Sequence, residues 1–336
     1  MTRLINLKVY CPNPSDITSL YRAVGPLSAL RKQYRNLQID FEAKLEYQSI
    51  AMADIVFLQR PFVDAHLNVA KVAKEHGIPV WADWDDNLFA IPETNPHYKS
   101  YASPKLAENI KQVAALADIV TVPTEPLKGI MSKFSNKVRV IPNALFDELL
   151  DESRISYDKR RAVIGWRGGQ SHNMDLMDAR DPIINISHKH KNWAFVFVGY
   201  NPFIQMKGIR DGAMGHFPNM SFKDYMKNLK SIAAPVHIVP LVNDSFNVCK
   251  SNIAWLEAST AGSLVIAPDM PEWKRPGIIN YSSNKELEEQ MERVIKSPSL
   301  VKTKNKESLK YIKDNLLLSK INKDRITLIE ELDDVR

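Results

Sequence analysis

Ala162-Val163-Ile164-Gly165-Trp166-Arg167-Gly168-Gly169-Gln170-Ser171-His172 is the stretch on which the division of the chain turns. A short apolar run stops at a glycine pair, and helical spacing follows, which reads as strand, tight turn and helix start. The preceding residues 147–161 are mostly charged, with little apolar periodicity, and read as a linker. Before the linker, strands are expected at 5–10, 55–58, 79–82, 119–122 and 138–141, with helices at 64–75 and 104–116. After it the alternation restarts, with strands at 162–166, 194–199, 237–241 and 264–267 and helices at 183–188, 222–231 and 252–260. Beyond 283 the pattern is helical. Such alternation gives parallel sheets covered by helices. The expected organisation is α/β, with an N-terminal half (1–146), a linker (147–161), a second half (162–283) and a helical C-terminal tail (284–336).

A chain of 336 residues is ample for two domains. It has no run approaching the roughly 20 apolar residues that span a bilayer. Its first residues, MTRLINLKVYCPNP, are broken by proline too early for a secretory leader. Cys11 and Cys249 are the only cysteines, which excludes a disulfide framework or a Cys-rich zinc site. A cytoplasmic protein without a transmembrane segment is expected. The formal charge is +6, and its distribution is uneven. Residues 1–150 hold 17 Lys/Arg against 16 Asp/Glu, whereas residues 153–230 hold 13 against 6. A basic middle section suits a polyanion such as a nucleotide diphosphate, DNA or an anionic membrane surface.

The glycine turn is the first candidate site. Gly168 and Gly169 would let backbone N–H groups approach phosphate, Arg167 would add a forked contact, and Ser171 would cap the following helix. His172 abuts the turn. In the second segment, from Pro240 through Glu257 to Gly262, a strand ends in a polar loop and a helix is expected from near Asn247. Lys250 and Ser251 would then meet phosphate at the helix start. Glu257, seven residues on from Lys250, would share its face and accept both ribose hydroxyls. In the first half, Asp83-Trp84-Asp85-Asp86 follows an apolar run, at the strand end where ligands of open α/β sheets bind. Asp85 or Asp86 would orient a substrate hydroxyl or take its proton. Arg22 and Gly25 lie in an expected turn after the first strand.

In this order the features resemble the GT-B glycosyltransferases of the glycosyl transferase family 4 type, with the group 1 donor domain. Glu257, Ala258, Gly262 and residues 264–267 follow that family's glutamate helix, small-residue turn and apolar strand. Val138-Arg139-Val140-Ile141-Pro142-Asn143 is similar to the ending of its N-terminal half, and residues 165–172 take the place of its first glycine turn. The likeness covers most of the chain in order but only scattered positions in identity. It implies two Rossmann-like domains, a nucleotide-sugar donor in the second, transfer with retention, and no obligatory cofactor or metal. The candidate roles are catalytic for Asp85, Asp86, Arg167 and Lys250, of which Arg167 and Lys250 are candidates for the family's phosphate-turn cation and not matches to it, and donor-binding for Gly168, Gly169, Ser171, His172, Lys250, Ser251 and Glu257. Arg22 and Gly25 would lie on the acceptor side.

The acceptor would be a hydroxymethylated base in phage-type DNA, or a cell-surface polysaccharide or lipid-linked glycan. A non-catalytic nucleotide-sugar or glycan-binding protein is the other class. Two positions depart from the family. Its glutamate pair has eight-residue spacing, which places a thiol, Cys249, at the first member. An acidic residue also stands near Asp85 where a histidine is common. Asp83-Trp84-Asp85 further spells the metal-holding pattern of the GT-A glycosyltransferases, against which the second α/β half argues.

Overall fold

The computed structural model describes residues 3–158 and 161–334. Positions 159–160 of the expected linker, and the outermost two residues at each end, lie outside them. Among the described residues there are two six-stranded sheets. The first comprises β1 (Ile5–Tyr10), β2 (Leu37–Glu42), β3 (Ile55–Gln59), β4 (Val80–Asp83), β5 (Ile119–Val122) and β6 (Val138–Val140). Its spatial order is β2-β1-β3-β4-β5-β6, all pairs parallel. The second comprises β7 (Val163–Gly168), β8 (Ala194–Gly199), β9 (Met214–Phe217), β10 (Val236–Ile238), β11 (Leu264–Pro268) and β12 (Ile278–Tyr281). It is ordered β12-β11-β10-β7-β8-β9, again all parallel.

Three of these strands escape the sequence reading for identifiable reasons. β2 and β9 are edge strands with exposed positions, so Leu37–Glu42 mixes Gln, Asp and Glu into its run. Met214–Phe217 is not fully buried at any position, which removes the apolar signal. β12 closes the other edge of its sheet and follows a turn at Gly277. The central strands β3, β4, β5 and β11 are buried along their whole length, and these were legible as continuous apolar runs.

Strand order positions the cleft. The direction of winding reverses between β1 and β3 in one sheet and between β7 and β10 in the other. Ligands of open parallel sheets lie beyond the carboxyl ends of strands at such reversals. The loops after β1, β3, β7 and β10 therefore converge. The C-terminal helices bind the halves together. Helix Ser299–Asn315 packs on β11, and helix Leu318–Asp334 returns to helix Gly25–Gln33 of the first half. The crossing is fixed by Leu145 N–H to the Leu316 carbonyl and Leu318 N–H to the Leu145 carbonyl, both 2.8 Å. Asn322 Nδ2 also donates to the Pro26 carbonyl at 2.9 Å. One hydrophobic cluster accordingly runs from Leu7 and Leu27 through Trp255 to Ile329.

His66 gives the first half a pH signature. Its Nδ1 accepts the Phe62 N–H at 2.8 Å, and its Nε2 lies 3.0 Å from the Tyr10 hydroxyl. Burial pushes its pKa down from 6.5 to about 4. The folded state resists a proton that the unfolded chain takes up near pH 6.5, so this contribution is present above that pH and is lost as pH falls toward 4. Stability should decline in that window by about 1.4 kcal/mol per pH unit for one such histidine. A His66→Gln variant retains an acceptor but cannot protonate. Denaturant melts at pH 4.5 and 6.5 should show a shallower pH dependence for it than for wild type.

Candidate active site

The loops after the reversal strands enclose two adjoining cavities. The smaller, about 170 Å³, is lined by Thr18, Arg22, Asp85, Asp86, His172 and Lys250, with Trp166, Ser251 and Trp273 among its other walls. The larger, about 480 Å³, lies beside Asp16, Gly168, Gly169, Gly199, Asn219 and Glu257. Ile17 and Arg167 border both. Residues from both halves thus meet around one space.

Arg167 and Glu257 form its charged centre. Glu257 is 1% exposed, and its carboxylate accepts Tyr21 Oη–H at 2.8 Å and Tyr225 Oη–H at 3.0 Å. Arg167 Nη2 completes the cluster, 2.8 Å from Glu257 Oε2. Burial opposes the charge on Arg167, but Glu257, Tyr225 and Tyr21 outweigh it and raise its pKa. Burial and the Glu257 charge hold both tyrosines well above the usual phenol range, so both hydroxyls remain donors. Tyr21 comes from the opposite half, on a π-helical turn, Leu20–Val24, and no sequence spacing links it to Glu257. Arg167 Nε is buried without a hydrogen-bond partner among the described residues. An unmatched charged donor at the junction of two cavities is a place for an anion.

Around this centre several expectations are corrected. Glu257 is not a freely exposed cleft carboxylate, because three side-chain donors already surround it. Lys250 does not share a helical face with Glu257. Residues Asn247–Cys249 form a single 3₁₀ turn, Lys250 is extended (φ −68°, ψ 141°), and the helix is Ile253–Thr260. Asp244 causes the early turn by accepting the N–H groups of Phe246 and Asn247. The Lys250 ammonium consequently reaches the smaller cavity from a loop, 4.8 Å over the Phe246 ring, and makes no salt bridge among the described residues. Ser171 is not an N-cap. It lies in a 3₁₀ turn, Gln170–His172, makes no capping bond and borders neither cavity.

Gly25 is not in a turn either. Its backbone is helical (φ −64°), and a Cβ there would come within 2.5 Å of both the Leu20 carbonyl and the Phe146 ring. It permits close packing and faces neither cavity. Arg22 does border the smaller cavity but is only 2% exposed. Its guanidinium makes a bidentate pair with Asp83 (2.6 and 3.0 Å) and also donates to the Ile141 carbonyl and Asn143 Oδ1. Asn143 Nδ2 in turn donates to Ser251 Oγ at 2.8 Å, which ties the halves across the cleft. Asp83 accepts from Thr121 as well, at 2.6 Å. With its oxygens so engaged, Asp83 is unsuited to the metal-holding role of the Asp83-Trp84-Asp85 pattern.

The glycine turn does border the larger cavity. Gly168 pairs with Gly199 in the sheet, and a Cβ at Gly199 (φ +103°) would lie 2.4 Å from the Gly168 carbonyl. That close approach requires glycine. His172 turns toward the smaller cavity, with its Nδ1 2.8 Å from Asp175 Oδ2. Burial and the nearby Lys250 push it down to about 4 in spite of Asp175. Its proton therefore sits on Nδ1 and Nε2 is an acceptor. Cys249 is buried, and its carbonyl accepts Thr124 Oγ1–H at 2.9 Å. It borders neither cavity.

Asp85 and Asp86 both border the smaller cavity. Their partner, Arg60, carries no motif and was not legible as a site residue, although it ends a strand at the reversal point. Its guanidinium grips Asp85 in a bidentate pair, 2.6 and 2.8 Å, and touches Asp86 at 3.3 Å and Thr18 Oγ1 at 3.1 Å. Arg60 adopts a left-handed backbone (φ +48°), a conformation costing about 1–3 kcal/mol for a residue with a side chain.

No family model matches the chain, and no curated protein does. Solved structures do. A sucrose-phosphate synthase from Thermosynechococcus elongatus superposes with a TM-score of 0.71 at 11% identity, covering 99% of this chain and 100% of that one. Anabaena Alr3699/HepE, in complex with UDP-glucose, gives 0.66 at 13% identity, with 98% and 100% covered. An alpha-glucosyltransferase in complex with UDP and a 13-mer DNA containing an HMU base gives 0.62 at 11% identity, with 98% and 100% covered. Two parallel α/β halves, the returning C-terminal helix and these superpositions over nearly the whole chain establish that the protein has the GT-B fold.

Proposed function

We propose that the protein is a glycosyltransferase that moves a sugar from a nucleotide-activated donor to an acceptor hydroxyl. The observation that carries this reading is the Arg167 Nε at the junction of two cavities, unmatched among the described residues, with the Lys250 ammonium, without a salt bridge among them, bordering the smaller one. The larger cavity would take the nucleoside, with Glu257 near its ribose, and the smaller would take the sugar. The diphosphate would lie at Arg167, Lys250 and the glycine turn. Fixed positive charge there opposes the negative charge that grows on the leaving diphosphate as the donor bond breaks. UDP and UDP-glucose in the superposed structures support such a donor. The family resemblance favours retention and no obligatory metal.

For the acceptor we favour a glycan over DNA. Asp85 and Asp86 line the smaller cavity and Asp16 the adjoining one, and carboxylates so placed suit sugar hydroxyls as hydrogen-bond donors. Part of the basic middle section is also engaged locally. Lys189 pairs with Glu292, Arg154 with Asp151 and Arg180 with Asp181, while Arg210 donates to the Ser187 and Trp193 carbonyls.

A panel of UDP-, ADP- and GDP-sugars, each with oligosaccharides or hydroxymethylated duplex DNA, tests both parts through nucleoside diphosphate release. Release with oligosaccharides, nearly insensitive to salt, is expected. Transfer to DNA that falls steeply with salt would overturn the glycan reading. Nucleotide binding without release under saturating acceptors would make the chain a binding protein.

A further inference from the structure

We propose that Arg60 is a positioning residue that divides two neighbouring carboxylates between a clamped anion, Asp85, and a group left to receive the acceptor's hydroxyl, Asp86. This rests on the glycosyl-transfer reading above. The two aspartates are consecutive, border the same cavity and share one cation, yet their contacts differ. Asp85 receives both prongs of the guanidinium, so its oxygens are fixed in direction. Asp86 receives a single longer contact and is the more exposed of the two, 28% against 13%.

The backbone supports a dedicated role for Arg60. A left-handed residue immediately before Pro61 is an unfavourable place for a side chain that serves only to fill space. The conformation is held by Arg60 N–H to the Asp83 carbonyl at 2.7 Å, which joins the end of β3 to the end of β4. It turns the guanidinium toward the loop after β4. Thr18 Oγ1 accepts from Arg60 Nη2, so the clamp also engages the short helical turn after β1.

The charges facing Asp86 come from several elements: Asp85 on its own loop, Arg60 after β3, Asp16 after β1, and Lys250 on the loop before helix Ile253–Thr260. Burial, followed by the Asp85 charge, raises the Asp86 pKa. Arg60 and Lys250 act in the opposite direction. Asp85 is lowered, because Arg60 outweighs its burial. One carboxylate thus stays an anion, while its neighbour can exchange a proton or accept a hydroxyl hydrogen bond.

Carbon-13 NMR of aspartate-labelled protein, assigned with D85N and D86N, reads this division without any substrate. Wild type should show Asp86 titrating above the ordinary carboxylate range and Asp85 below it. In Arg60→Gln the two should titrate as one coupled pair, and Arg60→Lys should restore part of the separation. In the transfer assay Arg60→Gln should raise the acceptor KM about tenfold, the scale of one lost charged hydrogen bond, and move the acid limb of the kcat/KM profile. Its affinity for UDP should fall far less than its acceptor affinity, since Arg60 is hydrogen-bonded to Asp85, Asp86 and Thr18 and to neither Arg167 nor Lys250.

Unchanged titrations in Arg60→Gln, or an unmoved acid limb with wild-type acceptor KM, would overturn the proposal. Should that variant fail to fold, Asp85→Asn serves instead. Asp86 should then fall toward the ordinary carboxylate range, and an unshifted Asp86 overturns the proposal equally. Coupled titrations in a protein that turns over no donor would refute the transfer reading and not the clamp.

Discussion

Replacing Lys250 by alanine should slow transfer about 10²–10³-fold while leaving the unfolding midpoint near that of wild type. The two effects separate because of how the lysine is held. Its ammonium has no carboxylate partner among the described residues and rests only over the Phe246 ring, so little folding energy depends on it. A cation facing the leaving diphosphate gains most as charge develops, so the loss should appear in kcat more than in donor affinity. Single-turnover kinetics beside a thermal melt would check this. Near-normal turnover in a folded variant would place the diphosphate elsewhere.

Glu257→Ala should behave in the opposite manner, with a large loss of stability. Removing the carboxylate leaves Arg167, whose side chain is 23% exposed, without its ion-pair partner, a loss of about 1–3 kcal/mol after solvent screening. Tyr21 and Tyr225 lose their acceptor at the same time. Urea unfolding of the variant should show a midpoint well below wild type, and the coupling between the halves should weaken because Tyr21 reaches across them. A midpoint unchanged from wild type would mean that the Tyr21–Glu257–Arg167 cluster contributes little to folding. This expectation reverses the picture of a solvent-facing ribose carboxylate that the helix position alone suggested.

The contrast between these residues shows how far the sequence carries. The two α/β halves were legible because buried parallel strands are short apolar runs, and Val80–Asp83 or Leu264–Pro268 could be little else. Arg167, Lys250, Asp85 and Asp86 were legible as polar residues at strand ends or in loops, and Glu257 as a carboxylate on a helix, and the fold gathers them around adjoining cavities. Their partners were not. Tyr21 meets Glu257 across 236 positions of sequence, and Arg22 meets Asp83 across 61, distances over which no periodicity informs.

Gly25 and Ser171 misled for a different reason. Each is a residue type favoured in turns and caps, but tertiary packing assigned Gly25 to a helix against Phe146 and Ser171 to a 3₁₀ turn. Arg60 was passed over because a single arginine before a proline has no pattern. Its importance emerges only from strand order, which sets it at the reversal of the first sheet beside Asp85 and Asp86.

The central claim is that a nucleotide diphosphate bridges the two cavities, and a crystal soaked with the tightest-binding of UDP, ADP and GDP tests it most directly. The nucleoside should occupy the larger cavity beside Gly168, Gly199 and Asn219, with the terminal phosphate between Arg167 and Lys250 and the smaller cavity left open for the sugar. A nucleotide seated away from Arg167 and Lys250, or no binding by any of the three at millimolar concentration, would contradict the account.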